Sequence, residues 1–187
     1  MRVALILVAI GAAVTIGVSP AAAQAPGTGL WGVGGSIGAA GPSDPSLRRG
    51  LDGAGNIERY FTPRLSIRGQ AGYSSWDIVG RHFNGTIKPL YFDGNVVYNF
   101  EAGVLHPYVT GGVGVYHYHG SVTGAQDRSD TKPGVNVGGG VEIFFNRSAA
   151  FTSELSYHKV GAFNAPATTF NDGSFWRFGA GAKFYFR

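Results

Sequence analysis

The stretch Phe175-Trp-Arg-Phe-Gly-Ala-Gly-Ala-Lys-Phe-Tyr-Phe-Arg187, at the end of the 187-residue chain, decides the fold class. Side chains of a β-strand alternate between two faces, so this stretch divides into two sets. One set is apolar, with aromatic residues near both ends: Trp176, Phe178, Ala180, Ala182, Phe184 and Phe186. The other set is small or polar: Arg177, Gly179, Gly181, Lys183, Tyr185 and Arg187. This pattern predicts a strand that crosses a bilayer, with aromatic residues at the two interfaces and a polar face turned inward.

Seven earlier runs show the same alternation, so the chain is predicted to form eight strands. These runs are Leu30–Ala40, Leu51–Phe61, Leu65–Trp76, Lys88–Phe100, Pro107–His119, Gly134–Phe145 and Ala149–Val160. Long loops follow every odd-numbered run: Gly41–Gly50, Asp77–Ile87, Gly120–Pro133 and Gly161–Ser174. Short turns follow the even-numbered ones: Thr62–Arg64, Glu101–Leu105 and Asn146–Ser148. This regular asymmetry predicts an all-β, eight-stranded antiparallel up-and-down transmembrane barrel, with short periplasmic turns and long extracellular loops.

The composition fits a barrel and excludes several other classes. Only 14% of the residues are charged, against about a quarter in soluble domains. The absence of Cys excludes a disulfide scaffold and thiolate metal sites. Without Arg2, the 15 basic residues become 14, and 14 minus 11 acidic residues leaves +3. This charge is too small to indicate a nucleic-acid partner.

The N-terminus has the features of a secretory signal peptide. Met1 and Arg2 precede the apolar run Val3–Val18, and small residues follow in Ser19–Ala25. We predict cleavage after Ala23, with Ala25 as the alternative, which gives a signal peptide at 1–23 and a barrel domain at 24–187.

The chain resembles the small OmpA/OmpX-like outer-membrane β-barrel proteins. The likeness lies in the signal segment, the eight predicted strands, the aromatic closing strand and the run Pro107-Tyr-Val-Thr-Gly-Gly-Val-Gly-Val-Tyr116. It implies a monomer in the bacterial outer membrane, inserted by the barrel assembly machinery, in contact with membrane lipids and lipopolysaccharide, and without a cofactor. It also implies a non-enzymatic role in envelope integrity and in surface recognition or adhesion through the loops. Arg187 departs from the family, whose members usually end on an aromatic residue.

The predicted inner face carries charged or titratable residues: Glu58, Arg68, Asp93, Glu142, Glu154, His158, Arg177 and Lys183. The interior of an eight-stranded barrel is just wide enough for side chains to fill, so these charges must pair. We interpret them as a packed polar plug, and a gated ion path, as suggested for OmpA-like barrels, is the alternative.

The predicted outer face is expected to contact lipid, with Val141, Ile143 and Leu155 among its apolar residues. We expect one set of aromatic residues to anchor the barrel at the membrane interfaces: Trp31, Tyr73, Trp176, Phe178, Phe184 and Phe186.

Two patterns in the sequence raise the question of a catalytic or a metal site. Glu154, Ser156 and His158 share one face and resemble in outline the lipid A deacylase barrels. Those enzymes have a Ser two residues after the His, whereas Val160 stands at that position here, so we interpret the three residues as interior polar groups. Histidines raise a metal hypothesis (His82, His106, His117 and His119), but no acidic residue lies at ligand spacing, and we expect no metal site.

Basic residues in or beside the first two loops offer contacts for lipopolysaccharide phosphates: Arg48, Arg49, Arg81 and Lys88. The alternatives to a non-enzymatic surface barrel are a lipid A-modifying enzyme and a secreted lipocalin-like barrel. The lipocalin-like barrel requires an apolar interior, and the predicted interior charges would then have to face water.

Overall fold

The computed structural model describes residues 27–78, 85–100, 105–122, 126–165 and 168–187. The predicted signal peptide, Arg81 and His82 lie outside these ranges. No helix in the described ranges is long and apolar enough to cross a membrane. The strands are β1 (Trp31–Pro42), β2 (Leu47–Arg48), β3 (Gly50–Tyr60), β4 (Leu65–Ser74), β5 (Trp76–Ile78), β6 (Gly85–Asn99), β7 (Leu105–Val122), β8 (Arg128–Asn146), β9 (Ala149–Val160), β10 (Phe163–Ala165), β11 (Thr168–Phe170) and β12 (Phe175–Phe186).

Eight long strands close into an antiparallel barrel, as the sequence predicts. Around the barrel the order is β1, β3, β4, β6, β7, β8, β9 and β12, and β12 pairs again with β1. The closing ladder runs from Trp31 opposite Phe186 to Pro42 opposite Phe175. Closure leaves no unpaired edge among these eight strands, which a bilayer requires because lipid cannot satisfy backbone polar groups.

The outer wall is apolar and the interior is polar. On β4 exposed and buried residues alternate without interruption from Leu65 to Ser74. Large apolar side chains such as Ile37 (79% exposed) and Phe184 (60% exposed) point outward, whereas Arg177 and Lys183 are each 1% exposed. A soluble barrel for apolar ligands has the opposite arrangement, so the lipocalin-like alternative is wrong.

Three strands begin two or more residues before the runs that the sequence pattern predicts. The predicted runs Lys88–Phe100, Pro107–His119 and Gly134–Phe145 correspond to strands that begin at Gly85, Leu105 and Arg128, and β7 continues to Val122. The ladder continues toward the loop end, with Gly85 opposite Val122 and Gly120 opposite Arg128. Outside the bilayer one face of a strand need not be apolar, so the alternation that marks a strand disappears while the pairing continues.

The predicted long loops also contain strands of their own. The third predicted run is divided in the structure, because β4 ends at Ser74 and β5 begins at Trp76. Between them, the Ser75 amide still donates to the Leu51 carbonyl oxygen (3.1 Å), in register with the β3–β4 ladder. β5 then pairs with β2 and with β6. The fourth loop contains the β10–β11 hairpin.

Aromatic packing closes the loop end of the barrel. The Tyr118 and Phe163 rings stack at 4.1 Å, and Phe170 stacks on Phe163 at 5.1 Å. The Asn164 amide donates to Asp130 Oδ2 (2.9 Å), which fixes the β10–β11 hairpin against β8. The hairpin and this aromatic layer therefore cover the lumen.

Candidate functional site

The lumen contains a column of ion pairs whose lowest part joins β12 to β8 and β3. Lys183 Nζ donates to Glu142 Oε1 and, at 2.7 Å, to Glu58 Oε2. The Tyr185 hydroxyl donates to Glu142 Oε2 (2.5 Å). The two carboxylates and the ammonium group are almost completely buried. Lys183 therefore bridges two carboxylates that come from different strands.

The middle of the column is built around Arg68. Its Nε donates to Glu58 Oε2 (2.8 Å) and its Nη1 to Glu154 Oε2 (2.5 Å). The Tyr108 hydroxyl also donates to Glu154 Oε2 (2.8 Å), and the Arg68 guanidinium lies 5.0 Å from the centre of the Tyr108 ring. Arg177 Nη1 lies 3.6 Å from Glu154 Oε1. Glu154 thus links the guanidinium groups of two strands.

Asp52 belongs to the column, although it is absent from the predicted set. Arg177 Nε donates to Asp52 Oδ1 (2.5 Å), and Ser74 Oγ donates to Asp52 Oδ2 (2.6 Å). Tyr91 adds a third donor at 3.1 Å. Asp52 lies six positions before Glu58 on the same strand, so the alternation that places Glu58 inside also places Asp52 there.

A hydrogen-bonded chain lies at the loop end of the column. The Tyr116 hydroxyl donates to Asp93 Oδ1 (2.8 Å) and lies 2.9 Å from His158 Nδ1. His158 Nε2 lies 3.1 Å from Ser156 Oγ, and the Phe175 ring is parallel to the imidazole at 4.5 Å. The tautomer that donates from Nδ1 to Tyr116 and accepts from Ser156 satisfies both ring nitrogens of His158.

All eight predicted interior residues point into the lumen and are at most 8% exposed. Glu154, Ser156 and His158 do not form a catalytic relay, because Glu154 contacts Arg68, Arg177 and Tyr108 instead of His158. The cavity bounded by Asn56, Gln70 and the middle of the column has a volume of about 10 Å³. That volume holds about one water molecule. The lumen is therefore packed with side chains.

The six predicted interface residues are exposed on the outer wall: Trp31, Tyr73, Trp176, Phe178, Phe184 and Phe186. Trp31 and Phe186 are paired at the turn end, where Arg59 lies 4.9 Å from the centre of the Trp31 ring. Trp176 lies near the loop end, in contact with Tyr157 at 4.6 Å. Their anchoring role stays a prediction. Leu155 also faces outward, and Val141 and Ile143 lie on the face opposite to Glu142.

His82 lies outside the described residues, and the other three histidines of the metal hypothesis do not form one cluster. His106 is buried at the turn end, 5.0 Å from the Phe144 ring, whereas His117 and His119 bond Thr131 and Ser129 near the loop end. No group of three His, Cys, Asp or Glu residues suited to a metal occurs within the described ranges.

The basic residues predicted to meet lipopolysaccharide lie at the loop end. Arg48, Arg49 and Lys88 are exposed and form no ion pair with any described residue. The nearby Lys132 and Lys159 instead face Asp130 (3.3 Å) and Asp172 (3.8 Å).

A closed barrel with an apolar wall and a charged, packed lumen defines an integral outer-membrane β-barrel protein. Residues 8–186 match the model of the outer membrane protein beta-barrel domain, and the chain belongs to that family. Its location is the bacterial outer membrane, where lipid and lipopolysaccharide surround it. No curated protein matched the sequence significantly.

Solved structures of outer-membrane proteins have the same fold. OprG of Pseudomonas aeruginosa is 16% identical, with a TM-score of 0.65 over 88% of this chain and 99% of that one. Ail, the attachment invasion locus protein of Yersinia pestis, is 12% identical in a complex with the heparin analogue sucrose octasulfate (TM-score 0.60, 85% and 99% covered). Neisserial surface protein A is 17% identical (TM-score 0.59, 85% and 98% covered). At these identities the likeness shows the fold alone.

Proposed function

We propose that this protein is a monomeric, non-enzymatic barrel that stabilises the cell envelope and uses its extracellular loops for surface recognition or adhesion. The observation that carries the proposal is the packed lumen, whose cavity beside Arg68 and Lys183 measures only about 10 Å³. A cavity of that size holds about one water molecule, so no substrate fits beside the column. The outer wall and the loop end are the surfaces that remain for function.

The loop-end cations support recognition of lipopolysaccharide phosphates. Arg48 and Arg49 are exposed and have no carboxylate partner among the described residues. Arginine binds phosphate oxygens bidentately, and its charge is unaffected by pH in the physiological range. Lys88 adds a third cation at the same end, and Arg81 is predicted from the sequence to add a fourth.

The test is a charge-matched pair of double variants. Arg48→Gln/Arg49→Gln removes two cations at the loop end, and Arg147→Gln/Arg187→Gln removes two at the turn end. Binding of the purified barrels to immobilised lipopolysaccharide should weaken for the first variant only. Equal weakening in both would show that net charge, rather than the loop end, governs binding. Sulfated glycan, used in parallel, tests whether recognition is limited to phosphate.

The envelope role predicts that cells lacking the protein admit more of a hydrophobic dye than cells that express it. The non-enzymatic role is supported by the position of Ser156 and His158 inside the barrel, where lipid A has no access. Lipid A from both strains should therefore have the same mass spectrum. A mass difference that depends on Ser156 would overturn this part of the proposal.

A barrel in the outer membrane must first be exported and then assembled there. We propose that a signal peptase cleaves after Ala23 and that the barrel assembly machinery inserts the chain. Mass spectrometry of the protein extracted from outer membranes should give an N-terminus at Gln24. An N-terminus at Pro26 would instead indicate cleavage after Ala25.

A further inference from the structure

Arg59 lies on the outer wall of the barrel, close to the turn end of β3. Its chain neighbours Glu58 and Tyr60 are fully buried in the lumen, so the alternation along the strand turns Arg59 outward. In the half of the outer wall nearer the turns, Arg59 is the only charged residue that the structure describes on the eight long strands. A cation on a lipid-facing wall costs free energy unless an anion compensates it.

Exposed apolar side chains surround Arg59. Trp31 and Ile67 are its partners on β1 and β4, whereas Ile57 and Phe61 lie two positions away along the chain. All four are exposed on the outer wall. Because Phe61 continues this apolar surface toward the turn, Arg59 lies within the wall that meets the membrane and not in the periplasmic water below it.

The guanidinium group of Arg59 is held in place, but it is not neutralised. Arg59 Nη1 donates to the Gly29 carbonyl oxygen, and the guanidinium carbon lies 4.9 Å from the centre of the Trp31 ring. The Gly29 amide donates to the Tyr60 carbonyl oxygen (2.9 Å), which fixes this segment beside the end of β3. No described carboxylate forms an ion pair with Arg59. Because a guanidinium has five N–H donors, several remain for an anion.

The height of Arg59 in the membrane indicates the chemical class of that anion. The short turns of such barrels face the periplasm, and aromatic residues such as Trp31 concentrate at the level of the lipid headgroups. The headgroups of phospholipids carry a phosphodiester with one negative charge. A guanidinium donates two parallel hydrogen bonds to the oxygens of such a group.

We propose that Arg59 and Trp31 bind the phosphate group of an anionic phospholipid, such as phosphatidylglycerol, in the periplasmic leaflet. Arg59 supplies the charge and the hydrogen bonds, whereas the Trp31 ring positions the guanidinium. The acyl chains of the same lipid lie against Ile57 and Ile67. A zwitterionic phospholipid binds less well, because its own ammonium group already compensates the phosphate.

The test is native mass spectrometry of the barrel released from detergent micelles that contain phosphatidylglycerol or a monogalactosyl diacylglycerol with the same acyl chains. The galactolipid has no phosphate and reports the adsorption of acyl chains alone. We expect the wild type to retain one phosphatidylglycerol molecule roughly tenfold more often than the galactolipid, the least that one charge-assisted hydrogen bond supports. Equal retention of the two lipids would overturn the proposal.

Variants of the site separate the two roles. Arg59→Gln should lose the preference for phosphatidylglycerol, and Trp31→Leu should weaken it, in barrels whose heat-modifiable mobility shows that they are folded. Arg59→Lys keeps the charge without the paired N–H groups and should show an intermediate preference. A preference equal to that of the wild type in Arg59→Gln, or in Arg59→Lys if the glutamine variant does not fold, would contradict the assignment.

Arg147→Gln is the matched control, because it removes the same charge at the turn end on the opposite side of the barrel. It should keep the preference, as should Arg48→Gln/Arg49→Gln, which alters the loop end. Loss of the preference in either control would show a response to net charge and would overturn a site at Arg59. A photoreactive phosphatidylglycerol locates the lipid directly: it should label the peptides that contain Trp31 or Arg59, and labelling confined to other strands would contradict the proposal.

Discussion

Replacement of Lys183 by Met is expected to destabilise the barrel strongly. Lys183 is 1% exposed and contacts both Glu142 and Glu58. In the variant Glu58 keeps Arg68 at 2.8 Å, whereas Glu142 loses its ammonium partner and keeps the Tyr185 hydroxyl. Breaking a buried ion pair costs about 3–5 kcal/mol. The adjacent cavity, with room for about one water, favours the lower end, about 3 kcal/mol.

The assay is equilibrium unfolding by urea in lipid vesicles, with the folded fraction read from the heat-modifiable mobility of the barrel on gels. Lys159→Met is the control, because Lys159 is 61% exposed and lies 3.8 Å from Asp172. Exposed pairs contribute less than about 1 kcal/mol. The double variant Lys183→Met/Glu142→Gln should recover part of the loss. If Lys183→Met costs no more than Lys159→Met, the column of ion pairs does not hold the barrel together.

Three further predictions concern the wall and the closing strand. Leu155→Arg should lower the free energy of unfolding by about 2–4 kcal/mol if the residue lies at mid-membrane, and unchanged urea unfolding would mean that this wall faces water. Gly181→Ala should reduce the yield of folded barrel, because the added Cβ would lie 1.8 Å from a backbone oxygen of β1. Gly53→Ala is the control and should fold normally, because no atom lies within 4 Å of the position that its Cβ would occupy. Phe186→Ala should lower the amount of barrel in the outer membrane, whereas Arg187→Ala should leave it unchanged. The reverse result would mean that the faces of β12 are assigned one residue out of register.

The sequence predicts the faces of the strands well, because a residue's position in a strand determines its face. Arg177 and Lys183 alternate with aromatic residues that need lipid, and this alternation alone places both charges inside. The same rule applied to β3 would have included Asp52. Strand ends were harder to predict, since β8 continues to Arg128 through polar residues that do not alternate in hydrophobicity.

The partners within the lumen could not be predicted from single strands. Lys183 meets Glu58 across 125 positions of sequence, and this contact depends on the stagger of eight strands around the barrel. A periodic pattern gives the face of each residue but not its height relative to other strands.

The conductance of the purified barrel in a planar bilayer at neutral pH shows directly whether the column of ion pairs closes the lumen. We expect no steady conductance in the wild type, because Lys183, Arg68 and Arg177 hold the lumen closed with their carboxylate partners. Stable, step-like channels in the wild type would contradict it, since they would require an ion path through the column that the structure shows as packed.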